Sequence, residues 1–222
     1  MNGFDFQINV VWESVPTLLS GAKLTVIITI VGLLIGFAIG AFTGLLKISR
    51  NYFFRKTAGI YIEGIRGTPI MVQVMFIYFG LPMAINTRIP PLTAGIIAIA
   101  INSGAYIAEI VRGAFQSIDQ GQKEAGRSIG LTHFQTMLYV IWPQAFKRMI
   151  PPLGNQFIIS LKDTSLLVVV GVGELTRTGQ EIIAANFRAF EVWIAVAIMY
   201  LAMTLTLSAV LNYIEKKMDI NI

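Results

Sequence analysis

Six charged side chains lie inside apolar stretches, as three close pairs: Glu63 and Arg66, Glu109 and Arg112, Lys162 and Asp163. A charge at the centre of a membrane-crossing helix costs about 2.5–3.5 kcal/mol on insertion scales, so each needs a partner or a task. Glu63 with Arg66, and Glu109 with Arg112, stand three residues apart, a spacing at which helical side chains meet. An internal structural ion pair is the default expectation for both. Lys162 and Asp163 are adjacent, about 100° apart around a helix, and do not face each other. Ser160, Ile159, Leu166 and Leu167 offer Asp163 no opposite charge. Their partners must come from another helix (Arg66 is one candidate for Asp163), from water, or from a ligand. A free amino acid is a zwitterion and supplies both signs. We therefore expect Asp163, helped by Thr164 or Ser165, to hold an α-ammonium, while Asn102, Ser103 or Lys162 meets the carboxylate. Asn102, Tyr106 and Glu109 share one helix face with Ser103 at its border, a polar stripe suited to lining a cavity. Glu63, Glu109 and Asp163 together hint at a cationic cargo such as arginine, lysine or histidine. Arg66, Arg112 and Lys162 offset them one for one, so that hint is weak.

The elements that must position these groups are membrane spans. Of 222 residues, 55% are apolar and 13% charged, with a mean hydropathy of +0.69; soluble domains carry roughly a quarter charged residues. Leu24 to Leu46 is free of charge and long enough to cross the hydrocarbon, which takes about 20 residues. Asp5 and Glu13 in the leader argue against a cleaved signal peptide. Spans are expected at about 22–46, 58–81, 91–114, 150–172 and 191–214, with the whole chain, 1–222, as one transmembrane domain. Pro69 removes a backbone donor and disfavours helix at Thr68, so a kink is expected in the second span. Gly32, Gly36, Gly40 and Gly44 recur every four residues, which puts bare backbone on one face for a close helix contact, within the chain or in a dimer.

Lys47, Arg50, Arg55, Lys56, Lys123, Arg127, Lys147, Arg148, Lys216 and Lys217 fall in one set of connections; the other holds Lys23, Arg88, Arg177 and Arg188. The positive-inside rule makes the first set cytoplasmic, with the N-terminus outside and the C-terminus inside. The net charge of +5 is thereby explained without nucleic-acid binding. The chain has no cysteine, no Gly-Lys dipeptide and a single histidine, His133. Thiolate metal sites, a phosphate-binding P-loop and a catalytic triad are therefore not expected, and no cofactor is expected in this chain.

A polar segment at about 116–147 separates the third and fourth spans. Gln120 to Ser128 suits a short helix, Gly130 a left-handed stop, and Thr132 an N-cap with Gln135 completing a capping box. A second helix from His133 to Ile141 is expected to stop or kink at Pro143. Small residues Ala125 and Gly126 would let a partner's backbone approach. The run Glu124-Ala125-Gly126, then Gly130, Ile141 and Pro143, resembles the EAA loop of ABC-transporter permeases, with Gly126 for the usual third Ala and Trp142 for the usual Leu.

The likeness extends to Glu63-Gly64-Ile65-Arg66-Gly67-Thr68-Pro69, to Asn102-Ser103-Gly104-Ala105-Tyr106 through Glu109 and Arg112, and to Ser160 through Leu166 with Gly173-Glu174-Leu175 beyond. Over about residues 15–215 the chain is similar to polar-amino-acid ABC permeases of the glutamine, histidine and arginine type. That resemblance implies an all-α membrane protein with the type I importer (MetI-like) architecture, five transmembrane helices and a cytoplasmic coupling-helix loop, in a prokaryotic cell membrane. It implies a transporter subunit rather than an enzyme, paired with an identical or homologous permease. Two cytoplasmic ATPase subunits would bind ATP and Mg, and an extracytoplasmic amino-acid-binding protein would deliver the substrate. The rival readings are an ion-gradient-driven secondary transporter or channel and a non-transporting scaffold; the absence of a detectable inverted repeat weighs against the first.

Overall fold

A computed structural model describes residues 6–218; Asp5 and the outermost residues of both termini lie outside the described part. Every regular element in it is helical. In chain order these are α1 (Ile8–Lys47), α2 (Tyr52–Arg66), α3 (Ile70–Met75), α4 (Leu81–Ile85), α5 (Pro91–Gln116), α6 (Gln120–Ser128), α7 (His133–Thr136), α8 (Trp142–Asp163), α9 (Leu175–Asn186) and α10 (Ala189–Lys217). Single π-helical turns, Phe76–Gly80 and Met137–Ile141, join α3 to α4 and α7 to α8, and a 3-10 segment, Thr164–Val170, extends α8.

Four runs are long and apolar enough to cross a membrane: Ile8–Lys47, Pro91–Gln116, His133–Val170 and Ala189–Lys217. The second expected span is not one helix. It breaks after Arg66 at Gly67 and resumes at Ile70, so a fifth crossing exists only if both pieces are counted together. Pro69 accounts for the break, since it lacks an amide donor and disfavours helical geometry at Thr68. At the N-terminal end α1 starts at Ile8, well before the apolar run at Leu24.

Both π turns stand two residues before a proline, Pro82 and Pro143. In an α-helix the proline ring would strike the carbonyl four residues back. The π turn supplies a wider bond instead: Leu81 N–H reaches Phe76 and Trp142 N–H reaches Met137. Of the two outcomes expected at Pro143, a stop or a kink, the helix does not stop: a π turn precedes the proline, and α8 runs on through it and through Pro151 and Pro152.

By contacts the chain divides into two compact units. The first comprises residues up to Gly32, Ile70–Ile99 and Ile158–Leu207, and its core joins Leu18 and Ala22 of α1 to Leu175, Val192 and Val196. The second comprises Leu33–Pro69, Ala100–Phe157 and the rest from Ser208. Ile107, Val111, Phe115, Ile141, Ala145 and Met149 are central to its core.

The glycine stripe is consumed inside the chain. In the second unit a Cβ on Gly40 would stand 2.6 Å from the Gly104 carbonyl, and one on Gly44 2.7 Å from Val111 Cβ; one on Gly36 would strike Ser103 Oγ. In the first unit Gly32 meets Ile99 the same way, at 2.7 Å. The stripe is thus the seat of α5 on α1, which answers the choice between internal packing and a dimer contact for that face.

Candidate functional site

In the second unit the charges of α2 and α5 form a network different from the one spacing suggests. Glu63 pairs with Lys47 at 3.4 Å and Arg66 with Glu109 at 3.3 Å, rather than Glu63 with Arg66. Arg112 grips Glu109 with two nitrogens, Nε to Oε1 at 3.0 Å and Nη2 to Oε2 at 2.7 Å, a fork that matches a carboxylate's geometry. The Arg66 guanidinium also lies 5.2 Å from the centre of the Tyr106 ring, within cation–π range. Tertiary neighbours override the helix spacing here because Glu63 is 80% exposed and the Glu109 side chain 18% exposed. The more buried acid gains most from two cations.

Further up α5, Asn102 and Ser103 are both buried. Ser103 Oγ donates to the Ala100 carbonyl at 3.3 Å and lies against Gly36, so its hydroxyl serves packing. Tyr61 of α2 donates to the Ile101 carbonyl at 2.8 Å and ties α2 to the same helix.

In the first unit, the Lys162 ammonium and the Asp163 carboxylate make no salt bridge and no side-chain hydrogen bond among the described residues. Lys162 is exposed and Asp163 half-buried. Thr164 Oγ1 donates to the Leu161 carbonyl and Ser165 Oγ to the Lys162 carbonyl, each at 2.7 Å. Both hydroxyls keep only acceptor capacity.

The same unit holds a buried acid that charge spacing does not single out. Glu174, fully buried, is the N-cap of α9, where its carboxylate accepts from Thr176 N–H at 3.0 Å and Arg177 N–H at 2.8 Å. Tyr200 of α10 adds its hydroxyl at 2.8 Å. Burial pushes the Glu174 carboxyl above the usual range, against the pull of those donors. An acidic residue at the start of a helical pattern is its sequence signal, because the helix N-terminus favours negative charge.

The polar hairpin of the second unit forms as its capping chemistry dictates. Asp119 caps α6 by accepting from Gly121 N–H at 2.6 Å. At the other end Gly130 takes φ +85°, with Gly130 N–H on Arg127 and Leu131 N–H on Gly126, a Schellman closure. Thr132 and Gln135 exchange both bonds of a capping box. Glu124 and Ala125 are exposed, Ile141 is fully buried, and Pro143 is exposed. Gly126 is buried against Thr136, whose Cγ2 would lie 2.7 Å from an added Cβ, so its smallness is needed for the hairpin to close.

Two contacts that spacing could not reveal close the hairpin's base. Gln144 bonds Gln122 at 3.2 Å, and the Arg148 guanidinium donates to the Ser117 carbonyl and to its hydroxyl, the latter at 3.0 Å. Among the described residues no group of His, Cys, Asp and Glu is placed to hold a metal.

This arrangement of helices and hairpin has close counterparts. Residues 32–220 match the family described as binding-protein-dependent transport system inner membrane component. The chain belongs to that family. It is the permease subunit of an ABC amino-acid importer, a multi-pass protein of the bacterial inner membrane whose ATPase is a separate subunit; the gradient-driven and scaffold readings fall away. The permease is 55% identical over 216 residues to the glutamine transport system permease protein GlnP of Escherichia coli (strain K12), covering 97% of this chain and 99% of that one. It is 39% identical over 205 residues to the L-cystine transport system permease protein TcyB of Bacillus subtilis (strain 168), covering 92% and 87%. Among solved structures, an amino acid ABC transporter with histidines superposes at a TM-score of 0.92 and 42% identity over 96% of this chain and all of that one. An inward-facing methionine ABC transporter, MetNI, shares the fold at a TM-score of 0.77 and 22% identity, covering 90% and 95%.

Proposed function

We propose that this permease carries a polar amino acid with a neutral side chain, glutamine being the best fit, and that Asp163 receives the α-ammonium group while Lys162 meets the α-carboxylate. Charge accounting carries the proposal. Of the acids within the expected spans, Glu63 is committed to Lys47, Glu109 to Arg66 and Arg112, and Glu191 to Arg188. Asp163 alone lacks a partner among the described residues, and a zwitterion's ammonium uses it up. A basic side chain would need a second free carboxylate. The 55% identity to a glutamine permease agrees with this reading.

In this reading the basic connections face the cytoplasm, so the N-terminus lies outside and the hairpin around Glu124 meets the cell interior. The hairpin docks a cytoplasmic ATPase, which handles ATP and Mg, and two permease chains, identical or homologous, make the path with two such ATPases. An extracytoplasmic receptor delivers the amino acid. Import requires that affinity for cargo differ between the outward-open and inward-open states.

The test is uptake by proteoliposomes containing the assembled transporter, its ATPase and its receptor. Glutamine uptake should exceed arginine uptake, and Asp163→Asn should raise the substrate concentration needed by tenfold or more, the worth of one charged hydrogen bond at about 1.5 kcal/mol. Arginine preferred over glutamine, or Asp163→Asn with unchanged affinity, overturns the proposal.

A further inference from the structure

The turn between α1 and α2 carries cations that neither the cargo site nor the hairpin uses. α1 is free of charge from Leu24 to Leu46 and ends at Lys47; Ile48–Asn51 are the whole connection to α2. Four residues reach at most about 14 Å, so α2 must begin near the edge of the membrane. It opens Tyr52-Phe53-Phe54-Arg55-Lys56, and the three aromatic side chains are 64%, 70% and 45% exposed. Ile60, two turns beyond Phe53 on the same face, is 67% exposed. Arg55 Cζ lies 5.9 Å and Lys56 Nζ 5.7 Å from the centre of the Tyr52 ring. Lys47 is neutralised by Glu63, but Arg50, Arg55 and Lys56 have no salt bridge and no side-chain hydrogen bond among the described residues.

Aromatic rings gather at membrane–water boundaries, and cations there are drawn to acidic headgroups. We propose that Arg55 and Lys56, beside the Tyr52 ring and with Arg50, bind the headgroup of an anionic phospholipid, while Phe53 and Ile60 lie against its acyl chains. An acidic soluble protein would satisfy the cations but would leave Phe53 and Ile60 in water beside an apolar span. A phospholipid satisfies both halves of the patch at once. The site depends only on its place at the membrane edge, not on the substrate or on which side faces the cytoplasm.

The experiment is native mass spectrometry of the assembled transporter, exchanged into micelles with equal amounts of phosphatidylglycerol and phosphatidylcholine. The wild type should retain phosphatidylglycerol preferentially. Arg50→Gln/Arg55→Gln/Lys56→Gln should lose that preference, about fivefold for each cation near the surface. Tyr52→Leu keeps every cation and should weaken retention by about two- to fivefold. Lys216→Gln/Lys217→Gln, at the end of α10, controls for non-specific charge. Undiminished phosphatidylglycerol in the triple variant, or an equal loss in the α10 variant, overturns the proposal. So does a triple variant that sheds its ATPase subunits while keeping its lipid, which would assign the patch to a protein partner.

Discussion

Glu109 joins α2 to α5 by holding Arg66 and Arg112 together, so a single neutralisation should unmake both bonds. Glu109→Gln is expected to cost about 1.5–3 kcal/mol, the worth of a hydrogen bond to a charged group, read as a lower thermal midpoint of the purified complex. Adding Arg112→Gln should recover part of the loss, because the second change removes the uncompensated cation. If Glu109 held substrate instead, its variant would alter the uptake of glutamine relative to other amino acids and leave the midpoint unmoved. Gly36 offers a steric counterpart. Gly36→Ala would press a methyl on Ser103 Oγ and to within 2.9 Å of the Ala100 carbonyl, for about 1–3 kcal/mol of overpacking. Ser103→Ala should relieve only part of it, since the carbonyl stays; full relief would show that the side chain alone sets the fit. The pairing of Glu109 with Arg112 was legible because three-residue spacing settles what can meet on one helix. That of Glu63 with Lys47 was not, since it depends on which helix packs alongside.

At the level of elements, local chemistry was readable and distant closure was not. The bounds of α6, the left-handed Gly130 and the capping box at Thr132 all follow from residues within a few positions of one another. The course of α8 through Pro143 does not, because a π turn five residues long absorbs the clash that would have ended it. Nor does the bond from Arg148 to Ser117, which spans 31 positions. That bond ties the base of the hairpin to the end of α5, and a lever without a fixed base transmits little. Arg148→Ala should lower uptake per ATP hydrolysed by about two- to fivefold, as expected for losing exposed charged contacts worth about 0.5–1 kcal/mol. Arg148→Lys should restore much of it. An unchanged ratio of uptake to hydrolysis would falsify the clasp.

For the whole molecule, composition sufficed to assign the chain to the membrane, and the arrangement of its cations suggests which way it is threaded. The absence of cysteine makes that threading simple to test. Glu124→Cys should react with an impermeant maleimide only in inside-out vesicles, and Arg88→Cys only in intact cells. The reverse pattern would overturn the proposed orientation. What composition could not show is the break at Gly67–Pro69 or the division into two compact units, both of which depend on contacts far apart in the chain. The 3-10 segment Thr164–Val170, directly after Asp163, has a mechanical corollary. Its seven residues are stretched by about 0.5 Å apiece over an α-helix, a slack of about 3.5 Å in all. Rewinding them would draw Asp163 toward Gly171 by that length and swivel it by about 140°, so a change of helix type here would move a carboxylate that has no salt bridge among the described residues.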